Sequence, residues 1–220
     1  MPAGNERNSS RQALIDAAKS LMVERGSIEV SLSEIAQKSG LNSALVKYYF
    51  GGKQGLLLAL LEDVLGPSMV QMEGLVTMDM SPVEKLKLHV KGIINIYFRY
   101  PFINRLIHYL FEDPAAGEKV AETISRPLAQ TQRGLIEQGI AEGVFKPIDP
   151  KLIYFIVLGA CDHLFFGTHM LRIAFGIEKI DDDLRRSYTD TLLELLLDGM
   201  VMEKAPEAPA AKAGPRIRLL

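Results

Sequence analysis

Apolar residues recur along this chain at the three- and four-residue spacings of amphipathic helices. The first such series follows two serines near the N-terminus and stops before a glycine. Its apolar positions are Leu14, Ala17, Ala18 and Leu21. Because serine caps helix starts and glycine favours helix ends, the pattern predicts a helix that begins after Ser9 or Ser10 and ends at Gly26.

The next segment, residues 31–50, predicts two short helices joined by a tight connection. Ser31 and Glu34 have the S-x-x-E spacing of a capping box, in which each side chain accepts a hydrogen bond from an amide that the helix start leaves unpaired. Gly40 supplies the left-handed residue that ends the first helix, and Asn42 caps the second. Two helices joined by about three residues must cross steeply, which is the geometry of a helix-turn-helix.

The second of these helices has two chemically different faces. Val46, Tyr49 and Phe50 share one face and are expected to anchor the helix inward. The outward positions are Ser43, Ala44, Lys47 and Tyr48. Small residues permit close approach to DNA, while cationic and hydroxyl groups bind phosphates and base edges in a major groove. The pattern favours a DNA-reading helix, although a plain helical hairpin with a solvated face has the same spacing.

The rest of the chain is helical almost throughout, and proline and glycine mark the breaks. Predicted helices cover residues 53–65, 81–99, 102–110, 117–142, 150–175 and 181–202. We expect Gly66 and Pro67 to close the first of them, and Ser81 with Pro82 to open the second. Strand-like alternation bounded by hairpin turns is missing, so the predicted fold class is all-α.

Length and composition fit one small and one larger helical domain. The chain has 220 residues, of which 48% are hydrophobic. We divide it into residues 1–56, residues 57–202 and the Pro- and Ala-rich residues 203–220, which are predicted to be a disordered tail. The net charge is −2, but residues 1–56 hold seven Lys or Arg and five Asp or Glu. The small positive excess has the sign that a DNA-binding domain needs.

Several classes of function lack their sequence signatures. The nucleotide-binding, serine hydrolase and zinc protease motifs are missing, so we predict neither enzymatic activity nor a cofactor. His163 and His169, beside Asp162, are six residues apart rather than four, so no metal site is predicted. No uncharged apolar run is long enough to span a membrane, and the N-terminus lacks the apolar core of a secretory signal. A cytoplasmic protein is therefore expected.

The helix-turn-helix and the glycine-rich stretch after it follow one known family pattern. The positions in register are Ser31, Ile35, Ala36, Gly40, Leu41, Asn42, Ala44, Val46, Phe50, Lys53 and Leu56. The positions that depart from the pattern are Leu45, Lys47, Tyr49, Gly52 and Gln54. This segment resembles the TetR family of bacterial transcriptional repressors. The resemblance implies an N-terminal three-helix helix-turn-helix DNA-binding domain and a larger C-terminal helical domain for ligand binding and dimerisation.

The resemblance also implies a function and the residues that meet DNA. The candidate DNA-binding residues are Ser31, Ser33, Asn42, Ser43, Ala44, Lys47, Tyr48, Tyr49 and Lys53. The implied function is a ligand-responsive repressor that binds a palindromic DNA operator as a homodimer. A transcriptional activator would have the same DNA-binding unit. A helical ligand-binding or catalytic bundle, with a merely structural N-terminal hairpin, is the alternative from another class.

Two further expectations concern the larger domain. Its last two predicted helices are apolar on more than one side, and the resemblance implies that they pair with the same helices of a second subunit. Complete burial within one subunit is the alternative. The candidate effector-binding residues are Tyr97, Phe98, Phe102, His108, Phe111, His163, Phe166 and His169. Their character favours a small hydrophobic, aromatic or acyl-type effector, unless the aromatic residues simply form the core.

Overall fold

The computed structural model describes residues 3–202, which form helices joined by short connections. The N-terminal helices are α1 (Ala3–Arg25), α2 (Leu32–Ser39) and α3 (Ala44–Phe50). The middle of the chain forms α4 (Lys53–Leu75), α5 (Pro82–Arg99), α6 (Ile103–Phe111), α7 (Pro114–Val120), a π-helical segment (Ala121–Ser125) and α8 (Arg126–Ala141). The last helices are α9 (Pro150–Phe166), α10 (Thr168–Phe175) and α11 (Asp182–Met200).

The all-α prediction is confirmed for this part of the chain. Across residues 3–202, extended pairing is limited to an isolated antiparallel bridge between Phe145 and Val201. The predicted tail, residues 203–220, lies outside the residues that the structure describes.

Helix α2 begins and ends as predicted. The Glu34 amide donates to Ser31 Oγ at 3.2 Å, and the Ser31 amide donates to Glu34 Oε2 at 2.8 Å, so both halves of the capping box form. Gly40 ends the helix in the left-handed region at φ 70°. Arg25 on α1 donates to the same carboxylate at 2.7 Å. The hydrogen bonds from Arg25 and then Ser31 lower the pKa of Glu34 to about 2.

The predicted start of the first helix is wrong, whereas its predicted end is confirmed. Helix α1 begins at Ala3, so Ser9 and Ser10 lie inside it rather than at its cap. No proline interrupts residues 3–10, and serine disfavours a helix interior only weakly, so the helix continues through both positions. Gly26, with φ 60°, follows its last residue.

The prediction that Gly66 and Pro67 close the fourth helix is also wrong, because α4 continues through both residues to Leu75. An interior proline costs about 3 kcal/mol. Beyond it, Met69, Met72 and Leu75 are all buried. Burying each such side chain contributes about 1.5–3 kcal/mol, which outweighs the local cost. By length and composition alone helix α4 could cross a membrane, but half of its apolar stretch is buried within this fold.

The predicted helix 117–142 begins earlier and contains an irregularity. Asp113 caps α7 by accepting a hydrogen bond from the Ala116 amide at 2.8 Å, and Pro114 occupies the first turn. The pair therefore separates α6 from α7, as predicted, and also opens α7. The π-helical segment then joins α7 to α8. Such segments are rare inside α-helices and frequently occur at functional sites.

The predicted single helix 150–175 is two helices, α9 and α10, whose axes differ in direction by 67°. The bend lies at Gly167, whose amide donates to the His163 carbonyl at 2.8 Å. A Cβ at Gly167 would lie only 2.8 Å from that carbonyl oxygen, so this close turn requires glycine. None of the residues of α10 is buried. Helix α11 begins as expected, at the cap residue Asp181.

Helix α4 connects the N-terminal helices with the larger helical domain. It contacts α1 and α3 on one side and α5, α6, α7 and α8 on the other. Near its N-terminal half, the Lys19 ammonium of α1 lies 2.7 Å from the Asp63 carboxylate of α4. At its C-terminal end, the buried Lys85 ammonium donates to the Val76 carbonyl at 2.8 Å and to Gln138 at 3.0 Å. The middle and the C-terminal end of α4 are therefore linked by charged hydrogen bonds to neighbouring helices.

Candidate functional site

Helix α3 presents the outward face that the sequence predicts. Val46 is fully buried and fixes the rotation of the helix against the core. Ser43, Ala44 and Lys47 are exposed, and Tyr48 keeps 64% of its surface accessible. Among the side chains of residues 7–202, Lys47 takes part in none of the ion pairs. Its ammonium is therefore available to an anionic partner.

Other predicted DNA-binding residues make structural contacts within the domain. The Ser31 hydroxyl takes part in the capping box, and Ser33 lies beside it with an Oγ–Oγ distance of 2.9 Å. Asn42 Oδ1 accepts a hydrogen bond from the Ala44 amide at 2.8 Å, which supports the first turn of α3. Tyr49 is half-buried, and its ring packs edge-on against Tyr48 at a centroid distance of 4.9 Å.

Lys53 stands at the start of α4, beside a turn that depends on glycine. Gly51 and Gly52 have φ values of 74° and 145°, which disfavour other residues. A Cβ at Gly55 would lie 1.9 Å from the Phe50 carbonyl oxygen, so the end of α3 and the start of α4 approach too closely for a side chain. Lys53 and Lys119 of α7 line a groove of about 520 Å³ between this turn and the larger domain.

Sequence comparison covers both parts of this architecture. The family model described as "Bacterial regulatory proteins, tetR family" matches residues 14–60. The model described as "Tetracyclin repressor-like, C-terminal domain" matches residues 79–206, which is more than half of the chain. The chain belongs to the TetR family. It is a helix-turn-helix transcriptional regulator that binds DNA through its N-terminal domain.

Individual relatives match either the N-terminal region or most of the chain. The regulator BetI of Rhizobium meliloti is 43% identical over 56 residues, which cover 26% of this chain and 28% of BetI. The regulator RutR of Escherichia coli K12 is 19% identical over 196 residues, covering 88% of this chain and 91% of RutR. The structure of FadR from Bacillus subtilis in complex with stearoyl-CoA superposes with a TM-score of 0.66 at 22% identity, covering 86% of this chain and 98% of FadR.

A cavity opens among the helices of the larger TetR-family domain, between α5, α6, the π-helical segment, α8 and α9. We call this cavity the central lobe, and its volume is about 260 Å³. It brings together three of the predicted effector-binding residues, Tyr97, His108 and Phe111. The lining residues that the sequence prediction left out are Ile107, Ile124, Ser125, Leu128, Tyr154, Phe155, Leu158, Gly159 and Asp162. On α9 the spacing of positions 154, 158 and 162 could have indicated a shared helical face.

The central lobe is apolar apart from a few polar groups. His108 Nε2 lies 3.4 Å from Asp162 Oδ2. The predicted residue Phe166 does not line the lobe, although its ring packs 5.4 Å from the His108 ring. Burial raises the pKa of the Tyr97 hydroxyl above its ordinary value, with a smaller contribution from Asp162. Tyr97 therefore stays neutral, and the carboxylate of Asp162 is the negative group of the lobe.

The remaining predicted effector-binding residues lie elsewhere. Phe102 is fully buried in the core, and Phe98 is half-buried beneath the Arg185 guanidinium, 5.2 Å from its ring. His163 and His169 are exposed and do not line the cavity. His169 instead lies 3.4 Å from an Arg172 nitrogen. Within residues 3–202, no three potential metal ligands cluster around either histidine.

Two further spaces share lining residues with the central lobe and adjoin it on different sides. The inner lobe, of about 50 Å³, shares Tyr97 and Leu128 with it and reaches Leu65, Met69 and Met72 of α4. The outer lobe, of about 330 Å³, lies between α8 and α9 and shares Tyr154 and Phe155 with the central lobe. The three lobes are therefore neighbours, and the inner one reaches α4.

The apolar surface of the last helices divides between the core and solvent. On α9, Leu152, Phe155 and Ile156 are 61%, 72% and 53% exposed. On α11 the leucines separate, because Leu195 is 69% exposed whereas Leu193 and Leu196 are buried in the subunit's own core. Complete burial of these helices within one subunit does not occur in this fold.

Proposed function

We propose that this regulator is a repressor that binds a two-fold symmetric operator as a homodimer and releases it when a hydrophobic effector occupies the cavity. The observation that carries the DNA-reading part is the orientation of α3. Val46 holds the helix against the core, while Ser43, Ala44, Lys47 and Tyr48 face solvent together. A regulator of this kind would act on DNA in the bacterial cytoplasm.

Dimerisation is supported by the exposed apolar residues of α9 and α11. A contiguous exposed apolar patch on a monomer's surface is unfavourable and commonly marks a protein interface. Leu152 and Ile156 lie one turn apart on α9, and Leu195 is exposed on α11, the helix that follows α10. Two copies related by a two-fold axis could bury these residues against each other.

An apolar effector is supported by the composition of the cavity and by one neighbour. Ligand sites are concave, mostly apolar and equipped with a few polar groups, which describes the central lobe with His108, Ser125 and Asp162. The FadR structure with a similar fold contains stearoyl-CoA. We extend the acyl-type ligand to this chain as part of the proposal.

The coupling between the cavity and DNA would pass through α4. The inner lobe reaches Leu65, Met69 and Met72 of this helix, and the same helix begins at the turn that follows α3. An effector that binds a conformation with a shifted α4 more tightly would change the separation of the two α3 helices in the dimer. Because half-sites on DNA lie about 34 Å apart, a changed separation weakens binding.

The experiment that tests this function is selection of bound sequences from random double-stranded DNA, together with fragments that flank the protein's own gene. We expect the enriched sequences to share a short inverted repeat, protected with one dimer bound. Enrichment of no common sequence at moderate salt would contradict sequence-specific operator binding. A single, non-repeated half-site would contradict binding as a symmetric dimer.

A further inference from the structure

The two larger lobes of the cavity differ in the charges beside them. The central lobe contains the Asp162 carboxylate, with His108 3.4 Å away. The outer lobe is lined by Arg126, Arg133 and Lys151. The floor of the outer lobe is nevertheless apolar, because Ala129, Pro150, Tyr154 and Phe155 also line it. The aliphatic stems of the cationic side chains can lie along such a surface while their charged ends remain at its rim.

Arg126, Arg133 and Lys151 form a cationic rim around the outer lobe, and not all of their positive charge is paired with a carboxylate. Arg133 is paired with Glu137 at 2.7 Å, and Lys151 lies 3.6 Å from Asp149. Arg126, in contrast, takes part in no ion pair with the described side chains of residues 7–202. The N-terminus of the 17-residue helix α9 also lies here, and its dipole favours negative charge.

The geometry of α9 sets the direction of the ligand. Lys151 stands in its first turn and Asp162 is eleven residues later, so the two lie about 16 Å apart along the helix axis. A carboxylate or phosphate placed in the central lobe would face the negative charge of Asp162, which disfavours it. The same group placed at the outer rim would face Arg126 and its neighbours. An apolar chain between them would lie against Tyr154 and Phe155, which line both lobes.

We propose that the effector is an amphiphile with an anionic head group held at the outer rim by Arg126, Arg133 and Lys151, and with its apolar chain in the central lobe. This inference deepens the proposed function and rests on it. The head group is a fatty-acid carboxylate or the phosphates of an acyl-CoA thioester, which share the anionic chemistry. The apolar chain points inward, towards α4.

Calorimetric titration of the full-length protein without DNA tests the proposal. The probes have one chain length and different head groups: decanoate, decanoyl-CoA, decanol and decylammonium. We expect at least one of the two anionic probes to bind more tightly than decanol, and decylammonium to bind most weakly. Tightest binding of decylammonium would overturn the proposal, since it would place a positive head group against Asp162.

A variant with Arg126→Gln, Arg133→Gln and Lys151→Gln separates the head group from the chain. Binding of the preferred anionic probe should weaken by about tenfold or more, as expected for lost charge-assisted hydrogen bonds. Decanol binding should be unchanged, which shows that the variant is folded and its cavity intact. The matched control, Lys91→Gln, removes an exposed charge on α5 outside the lobes and should alter neither.

The outcomes distinguish the ligand's source and the level at which the proposal fails. A loss with decanoate identifies the carboxylate as the anion at the rim, and a loss confined to decanoyl-CoA identifies the phosphates. Equal binding of the anion to the variant and the wild type would overturn the head-group assignment. A protein that selects its operator normally but shows no head-group preference would keep the proposed DNA-binding function and lose this inference.

Discussion

At the scale of single residues, Lys47 is the cationic side chain on the exposed face of α3. We expect Lys47→Ala to weaken operator binding by about 1–3 kcal/mol if the ammonium contacts a guanine. If it contacts only a phosphate, the loss should be uniform across sequences and the salt slope should fall by about one. Gel-shift titrations over a range of salt concentrations measure both quantities. The matched control is Lys87→Ala, which removes an exposed lysine on α5. If both variants bind the operator with wild-type affinity, Lys47 is not part of the DNA interface.

His89 is a second residue whose surroundings predict a measurable effect. It is fully buried on α5, with Nε2 3.1 Å from Gln132 Oε1, and its Nδ1 has no hydrogen-bond partner within the described part of the chain. Burial lowers the pKa of His89, and the hydrogen bond to Gln132 only partly opposes this shift. The folded state therefore favours the neutral imidazole, whereas the unfolded chain binds a proton near pH 6.5.

The sign of this shift makes the fold less stable in mild acid. The contribution of neutral His89 to the free energy of unfolding is complete above about pH 6.5 and is lost as pH falls below it. Urea denaturation at pH 7.5 and pH 5.5 should show the loss in the wild type and a smaller loss in His89→Gln. Glu34, with a pKa of about 2, contributes its own pH dependence only below its unfolded value near 4.5, outside this window. Equal losses in both proteins would assign the effect to other groups.

At the scale of elements, the α3–α4 turn and the middle of α4 provide a matched pair of glycines. A Cβ at Gly55 would meet the Phe50 carbonyl oxygen at 1.9 Å, whereas one at Gly66 would have nothing within 4 Å. Gly55→Ala should therefore destabilise the protein by about 1–3 kcal/mol and weaken DNA binding, because the end of α3 must shift. Gly66→Ala should change stability by less than about 1 kcal/mol, because the better helix propensity of alanine is opposed by the clash of its Cβ with the ring of Pro67. Thermal unfolding measures the stability of each variant, and gel shifts measure its DNA affinity. If Gly55→Ala changes neither quantity, the turn tolerates a side chain.

The elements that sequence predicts well are those fixed by local hydrogen bonds. Ser31 and Glu34 stabilise the start of α2 through contacts three residues apart, so their spacing alone indicates the cap. The end of α4 depends instead on burial of Met69 and Met72 against helices far along the chain, which local signals at Gly66 and Pro67 do not show. The bend at Gly167 has the same origin in tertiary structure, because a glycine within an apolar helix leaves continuation and bending both open.

The DNA-reading face of α3 and the cavity also differ in how far the sequence predicts them. The outward face of α3 follows from helical periodicity and one buried neighbour, Val46. The cavity is formed where Tyr97, His108 and Asp162 meet, and these come from three helices whose packing the sequence does not specify. Aromatic composition alone could therefore not separate lining residues from Phe102, which is core.

At the scale of the whole molecule, the exposed apolar face predicts the subunit interface. The pair Leu193 and Leu196 is unsuitable for a test because both are buried within the subunit. Ile156→Glu with Leu195→Glu should instead give a folded monomer, since a carboxylate in an apolar interface lacks a partner for its charge. Light scattering reports the mass, and Val70→Glu, at a 71% exposed apolar position of α4, is the control that should stay dimeric. A double variant that remains a dimer would place the interface on another face.

The proposed response to an effector would link the cavity, α4 and DNA, and a cavity-filling variant tests that link. Ile107 lines both the central and the inner lobe, so Ile107→Phe should occupy space that the apolar chain needs while leaving the exposed face of α3 unchanged. Ile148→Phe makes the same change at a half-buried position outside the three lobes. A coupling free energy of about 1–3 kcal/mol corresponds to a roughly 5- to 150-fold effect on DNA affinity.

We expect wild type and Ile148→Phe to release operator DNA at the same concentration of decanoyl-CoA, measured by fluorescence anisotropy of labelled DNA. Ile107→Phe should bind DNA with unchanged affinity and require about tenfold more decanoyl-CoA, because a ligand shifts the conformational equilibrium only through the state that it binds. Release at the wild-type concentration in Ile107→Phe would show that the ligand acts from a site outside these lobes. Weakened DNA binding by Ile107→Phe without any ligand would instead mean that filling the inner lobe itself displaces α4. That result would support coupling between the cavity and DNA through α4, whatever the effector is.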